Sequence, residues 1–164
     1  MQVQDKTTIA AAPSLIYASL NDPTLVVACA PWLKSVNVDL AERSYTAIIP
    51  FTMGQFKAQI GIKLWWVEGL PDQQLQLQGS LVSGGTAVPV STHITLTPTS
   101  EGHTEITWLI QAAVPDKVRP LVRQFVGDTP QRFAAAFFTC LQEKVTAQLE
   151  TRNEFQVSKF QVSG

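Results

Sequence analysis

The sequence predicts an α+β fold: a strongly curved, seven-stranded antiparallel sheet with one long C-terminal helix laid across its concave face. Two short helices follow the first strand. Three observations carry this prediction. Residues 35 to 113 alternate apolar and polar side chains with period two, the signature of half-buried strands. Turn signals cut that region at short intervals, so successive strands should pair as a meander. From about Asp116 to Leu149 the apolar spacing lengthens to three and four residues, as on the face of a helix.

The elements follow in order. "VQDKTTIAA" alternates as a first strand. "APSLIYASLNDP" reads as a short helix, with Pro13 in its first turn and Asn21-Asp22-Pro23 ending it. "PTLVVACAPW" reads as a second, opened by Pro23 and stopped before Pro31. Strands are expected near 35–40, 44–53, 55–67, 73–83, 87–98 and 104–113, divided by "AER", "MGQ", "EGLPD", "SGGT" and "TSEGH". Leu121, Phe125, Phe133, Phe137, Cys140 and Leu141 mark the long helix, which Gly127-Asp128-Thr129-Pro130 should kink or interrupt. Residues 1–150 form a single domain in this reading. The tail "TRNEFQVSKFQVSG" alternates weakly, has no assignable core role and is expected to be a mobile end.

Composition narrows the function classes. An apolar fraction of 45% with 15% charged residues suits a folded globular domain. Twelve basic against 13 acidic residues leave a net charge of −1, which offers no electrostatic footing for nucleic acid. No stretch approaches the roughly 18 apolar residues that a membrane-spanning helix needs. The opening residues lack the basic-then-apolar order of a secretory leader. The two cysteines, Cys29 and Cys140, lie in apolar helical contexts and read as buried free thiols. The cytoplasm is therefore the expected compartment.

Sorting the strands by face gives an inward set without a charged residue. "FKAQIGIKLWW" contributes Phe56, Ala58, Ile60, Ile62, Leu64 and Trp66, with Lys57, Gln59 and Lys63 facing out. Tyr45, Ala47, Ile49 and Phe51 precede it. Leu75, Leu77, Gly79 and Leu81 follow, against an outward ladder of Gln74, Gln76 and Gln78. Val90, Thr92, Ile94 and Leu96, then Ile106, Trp108, Ile110 and Ala112, complete the face. Such a face either packs as ordinary core or encloses an apolar cavity; periodicity alone does not decide between them.

Chemistry-bearing patterns are sparse. Of the two histidines, His93 falls on the outward face of its strand and His103 in a turn. No His/Cys spacing resembles a metal site, and "VSGGTA" is a hairpin turn with no helix after it to cradle a phosphate. Asp22 reads as a helix-end or turn group. Tyr45 and Thr92, with Trp108 as a further donor, are the hydrogen-bonding groups on the inward face and would either orient a ligand headgroup or satisfy one another. Lys117, Arg119, Arg123 and Arg132 flank an apolar stripe. That arrangement suits a solvated helix face or a peripheral contact with an acidic membrane.

"SLNDPTLVVACAPWLKSV" resembles the "ALNDPE.L..CIPG..S" segment of the carbon monoxide dehydrogenase G-subunit (CoxG) family, within the START-like, helix-grip (SRPBCC) superfamily. "YTAIIPFTMGQFKAQIGIKLWWVEG" is similar to that family's strand pair with a G-x-[VF]-K-A turn. "LQLQGSLVSGGTA" and "RFAAAFFTCLQEKV" resemble its later hairpin and final helix. The likeness spans roughly residues 2 to 149, and Trp32 stands where the family typically has glycine. It implies a helix-grip fold around a deep hydrophobic cavity. The implied wall is Tyr45, Ala47, Ile49, Phe51, Phe56, Ala58, Ile60, Ile62, Leu64, Leu77, Gly79, Thr92, Ile94, Trp108 and Ile110, closed by Leu121, Phe125, Phe133 and Phe137. It also implies a non-enzymatic carrier of a lipid- or quinone-like molecule, working beside a molybdenum hydroxylase such as carbon monoxide dehydrogenase, with no cofactor of its own. The alternatives are a cyclase- or hydrolase-like enzyme, which would need an acid or base on the inward face, and a docking accessory protein without a ligand.

Overall fold

The period-two region folds as its alternation predicts. A computed structural model describes the backbone of residues 2–53, 55–67, 69–116, 119 and 129–163, and the side chains of these apart from 51–53, 56, 58, 129, 130 and 152–163. The elements are β1 (Gln2–Ile9), α1 (Pro13–Leu20), α2 (Pro23–Ala28), β2 (Lys34–Asp39), β3 (Ser44–Met53), β4 (Phe56–Val67), β5 (Gln74–Ser83), β6 (Thr86–Pro98), β7 (Thr104–Ala112) and α3 (Thr129–Ser163). The described strands form one seven-stranded antiparallel sheet in the order β1-β7-β6-β5-β4-β3-β2. The helices pack on one face of it, which is a helix-grip architecture.

Local chemistry explains the boundaries. Pro13 opens α1, and its end is closed by two backbone bonds, Asn21 N–H to the Tyr17 carbonyl and Asp22 N–H to the Ser19 carbonyl. The Asp22 carboxylate accepts from the Thr24 N–H at 3.0 Å and caps α2, the helix-end role its position predicts. Between β5 and β6 the two-residue loop Gly84-Gly85 has φ of 56° and 81°, the left-handed pair that a tight hairpin with matching strand twist requires. A buried bond from the Thr104 hydroxyl to the Ala11 carbonyl, 2.7 Å, ties the start of β7 to the β1–α1 corner.

The register confirms one continuous apolar face. Tyr45 lies opposite Leu64, Leu64 opposite Gly79, and Gly79 opposite Val90. Trp66, Leu77, Thr92, Ile110 and Val3 form a parallel row from β4 across to β1. By the same register β1 brings Asp5 onto the face opposite Trp108, at an exposed edge position. Gly79 is buried because Leu64 lies over it: a Cβ there would collide with the Lys63 carbonyl and the Leu64 side chain. Gly79→Ala should therefore overpack the β4–β5 contact and cost about 1–3 kcal/mol, read as a shift of the denaturation midpoint.

The cysteines overturn one expectation. Cys29 and Cys140 are not free thiols but a disulfide, with Cα atoms 5.5 Å apart. Their settings are apolar and helical as expected, but 111 residues separate them and nothing in that spacing reports that the end of α2 meets α3. A Cα separation of this size is what a bridge requires. The thiol-based argument for a reducing compartment falls with the free thiols.

Candidate functional site

The concave face is filled at one end and half-exposed at the other. Ile9, Ile16, Ile106, Leu141 and Val145 are all 1% exposed or less, and they pack with Leu75, Ile94, Leu96, Trp108 and Phe138. This filled end lies where β1 runs out, β7 begins and α1 crosses. Farther along β5, β6 and β7, and on β3 and β4, Ile49, Ile60, Ile62, Leu64, Leu77, Thr92 and Ile110 are only half-buried. On α3, Phe133 and Phe137 are half-buried too. These side chains share a face with the core but are less deeply buried. The burial of this face is thus graded, deep at one end and partial over the rest.

Of the predicted wall, Tyr45, Ala47, Gly79, Ile94 and Trp108 are buried. The side chains of Phe51, Phe56 and Ala58, and the residues Leu121 and Phe125, lie outside the described residues. So do Lys117 and Arg123 of the basic stretch. Its remaining members are exposed, Arg119 with its guanidinium 3.0 Å from Asp116. His93 is exposed and His103 sits in its turn 3.8 Å from Glu101.

Tyr45 is the buried polar group of note on this face. It is 6% exposed, its ring lies 4.2 Å from that of Trp66, and its hydroxyl has no hydrogen-bond partner among the described residues. Burial, and then the negative charge of Asp22, hold its pKa well above the ordinary phenol value. The hydroxyl therefore stays a neutral donor with nothing to donate to. An orphaned buried hydroxyl costs about 1–3 kcal/mol, so Tyr45→Phe should stabilise the protein without ligand by roughly that order. The pH effect has a definite sign. Above the unfolded pKa near 10 the unfolded chain loses this proton while the folded chain keeps it, so folded stability falls as pH rises. Denaturation at pH 9 and 11 should show a smaller alkaline loss in Tyr45→Phe than in the parent.

Sequence reasoning missed a second feature. A cavity of about 320 Å³ lies at the α1 end of the sheet, walled by Tyr17 of α1 and Asn21 just past it, Arg43 before β3, Trp66 at the end of β4, and Pro71 and Leu75 beyond it. Asn21 donates its amide to the Tyr17 carbonyl at 2.9 Å, which fixes its orientation. Only Trp66 and Leu75 of this set belong to the inward register. The others come from a helix and two turns, where no periodic signal marks a cavity wall.

A seven-stranded antiparallel sheet with a long C-terminal helix and two short helices after the first strand defines the helix-grip (SRPBCC) class. Solved structures of that class match nearly the whole chain. A conserved protein from Geobacillus kaustophilus is similar with a TM-score of 0.75 and 19% identity, over 90% of this chain and 96% of its own. Norcoclaurine synthase from Thalictrum flavum is similar at TM-score 0.65 and 16% identity, over 89% and 86% respectively. Zhui aromatase/cyclase from Streptomyces sp. R1128 is similar at 0.60 and 12%, over 91% and 95%. Identities this low speak for the fold alone. A comparison with the curated proteins gives no significant match. The model of the carbon monoxide dehydrogenase G-subunit (CoxG) family matches residues 6–146, and the chain belongs to that family.

Proposed function

We infer that the protein is a non-enzymatic carrier that holds a lipid- or quinone-like molecule against the half-exposed part of its concave face, as an accessory to a molybdenum hydroxylase of the carbon monoxide dehydrogenase type. The observation that carries this reading is the graded burial of one continuous apolar register: buried at Ile94 and Ile106, half-exposed at Ile60 and Ile62. Family membership supports the accessory role. A ligand tail covering Ile60, Ile62 and Leu77 would bury apolar area at about 25 cal/mol per Å², and a carbonyl-type acceptor on its head would give the Tyr45 hydroxyl a partner.

An enzyme on this fold would need a working acid or base on the inward face. Among the described residues the buried titratable side chain there is Tyr45, whose raised pKa suits it to holding an oxygen rather than to shuttling protons at pH 7. Asp5 shares the face but stands exposed at the sheet edge.

Native mass spectrometry of the purified protein, followed by solvent extraction, tests the reading. An extractable apolar species released in stoichiometric amount is the expected result. Its capture should fall in Tyr45→Phe even as the unliganded protein becomes more stable, a pairing that a purely structural tyrosine would not produce. A protein that takes up no lipid or quinone when these are supplied in excess would end the carrier reading.

A further inference from the structure

The segment joining α2 to β2 is fastened to α3 at two points. One is the disulfide from Cys29 to Cys140. The other is a face-to-face stack of Trp32 on Phe133, ring centroids 4.7 Å apart and planes within 3°. Positions 133 and 140 are two helical turns apart and so lie on one face of α3. The two ties thus press the same short strap, residues 29 to 33, along that face.

The strap stands where the sheet is incomplete. β2 begins at Lys34, paired with Ile48, whereas β3 continues to Met53. Beyond Ile48 the edge of β3 has no β2 neighbour, and the chain that arrives there is the strap. This is also the half of the face where Ile49, Ile60 and Ile62 are half-exposed. The strap therefore leaves the filled core at Cys29 and runs toward the unpaired edge of β3, and both ties hold it to α3.

We propose that the strap is a redox-controlled gate on the interior, a proposal that rests on the carrier reading above. With the disulfide formed, the strap is held on α3 and ligand exchange is slow. A dithiol reductant opens it. Its thiolate attacks the sulfur of Cys140, which is half-exposed while Cys29 is 1% exposed, and displaces the Cys29 thiolate. The reductant's second thiol resolves the mixed disulfide and leaves as a cyclic disulfide. Two electrons and two protons pass to Cys29 and Cys140. The strap is then held by the core packing of Cys29 at its start and by the Trp32–Phe133 stack farther on, and one aromatic pair is a modest interaction.

The test is the rate at which the full chain releases diphenylhexatriene, a probe that fluoresces only when sheltered from water. The oxidised protein is compared with the same protein in dithiothreitol, with circular dichroism confirming the fold in both states. Release should be about tenfold faster or more after reduction, because the covalent tie is lost. Trp32→Ala keeps the disulfide and should accelerate release about three- to tenfold, the factor one aromatic pair supplies. Cys29→Ala/Cys140→Ala should release at the reduced rate and ignore dithiothreitol. Equal release from the oxidised and reduced parent overturns the gate and leaves the carrier reading standing. Loss of the fold on reduction overturns it too, because the bridge is then a staple. Absence of probe binding in both redox states removes the interior itself, and the gate with it.

Discussion

Replacing Cys140 with alanine is expected to lower the unfolding free energy by about 3–5 kcal/mol, and reduction of the parent protein should do the same. The bridge closes a loop of 111 residues in sequence separation, and a constraint that long removes a large share of the unfolded chain's freedom. The contacts on the native side are independent of the covalent bond: Cys29 is 1% exposed among core residues that stay in place when the sulfur bond is gone. The loss should thus fall mainly on the unfolded state, with two consequences. The denaturant slope should be larger without the bridge, because the reduced unfolded chain exposes more surface. The melting temperature should drop by about 2–4 °C for each kcal/mol in a chain of this size. Urea titrations of the parent and Cys140→Ala, each with and without dithiothreitol, measure this. A parent midpoint indifferent to reductant would sink the prediction.

That bridge also marks where sequence reading stops. The sheet was legible because its determinants are local. Leu75 and Leu77 alternate with Gln74, Gln76 and Gln78 inside one strand, and Gly84-Gly85 announces the turn that follows. Register followed too, since a one-residue slip would turn Ile60, Ile62 and Leu64 outward. Asp22 was legible as a cap for the same local reason. What escaped depends on contacts between elements far apart in the chain. Cys29 meets Cys140 only because α3 returns across α2. Ile62 and Ile94 occupy equivalent places in their strands' patterns, yet one is half-exposed and the other 8% exposed, because Ile94 lies under the core that α1 and α3 build. Tyr45 was legible as inward-facing, whereas its missing partner was not: hydrogen-bond satisfaction is a property of the assembled interior. The cavity walled by Tyr17, Asn21 and Arg43 has no single-element signature at all.

The sharpest consequence of the uneven interior is that two substitutions of the same kind, on the same packed face, should differ severalfold in cost. Leu141 is 0% exposed within the filled end. Leu141→Ala removes its transfer free energy and leaves a void that the surrounding helices and sheet cannot close, so about 2–5 kcal/mol should be lost. Ile62 is half-buried and, in the carrier reading, lines the space a ligand would take. Ile62→Ala forfeits only part of the transfer term and adds little new cavity, so about 1 kcal/mol is expected. Ligand should reverse the ranking's meaning without touching Leu141. With an apolar molecule bound, Ile62→Ala loses contacts to it, so its cost should grow as ligand is added, while that of Leu141→Ala stays fixed. Denaturation of both variants, with and without an apolar ligand in excess, measures the four values. If Ile62→Ala cost as much as Leu141→Ala in the ligand-free protein, the interior would be packed throughout, and graded burial would no longer support a carrier.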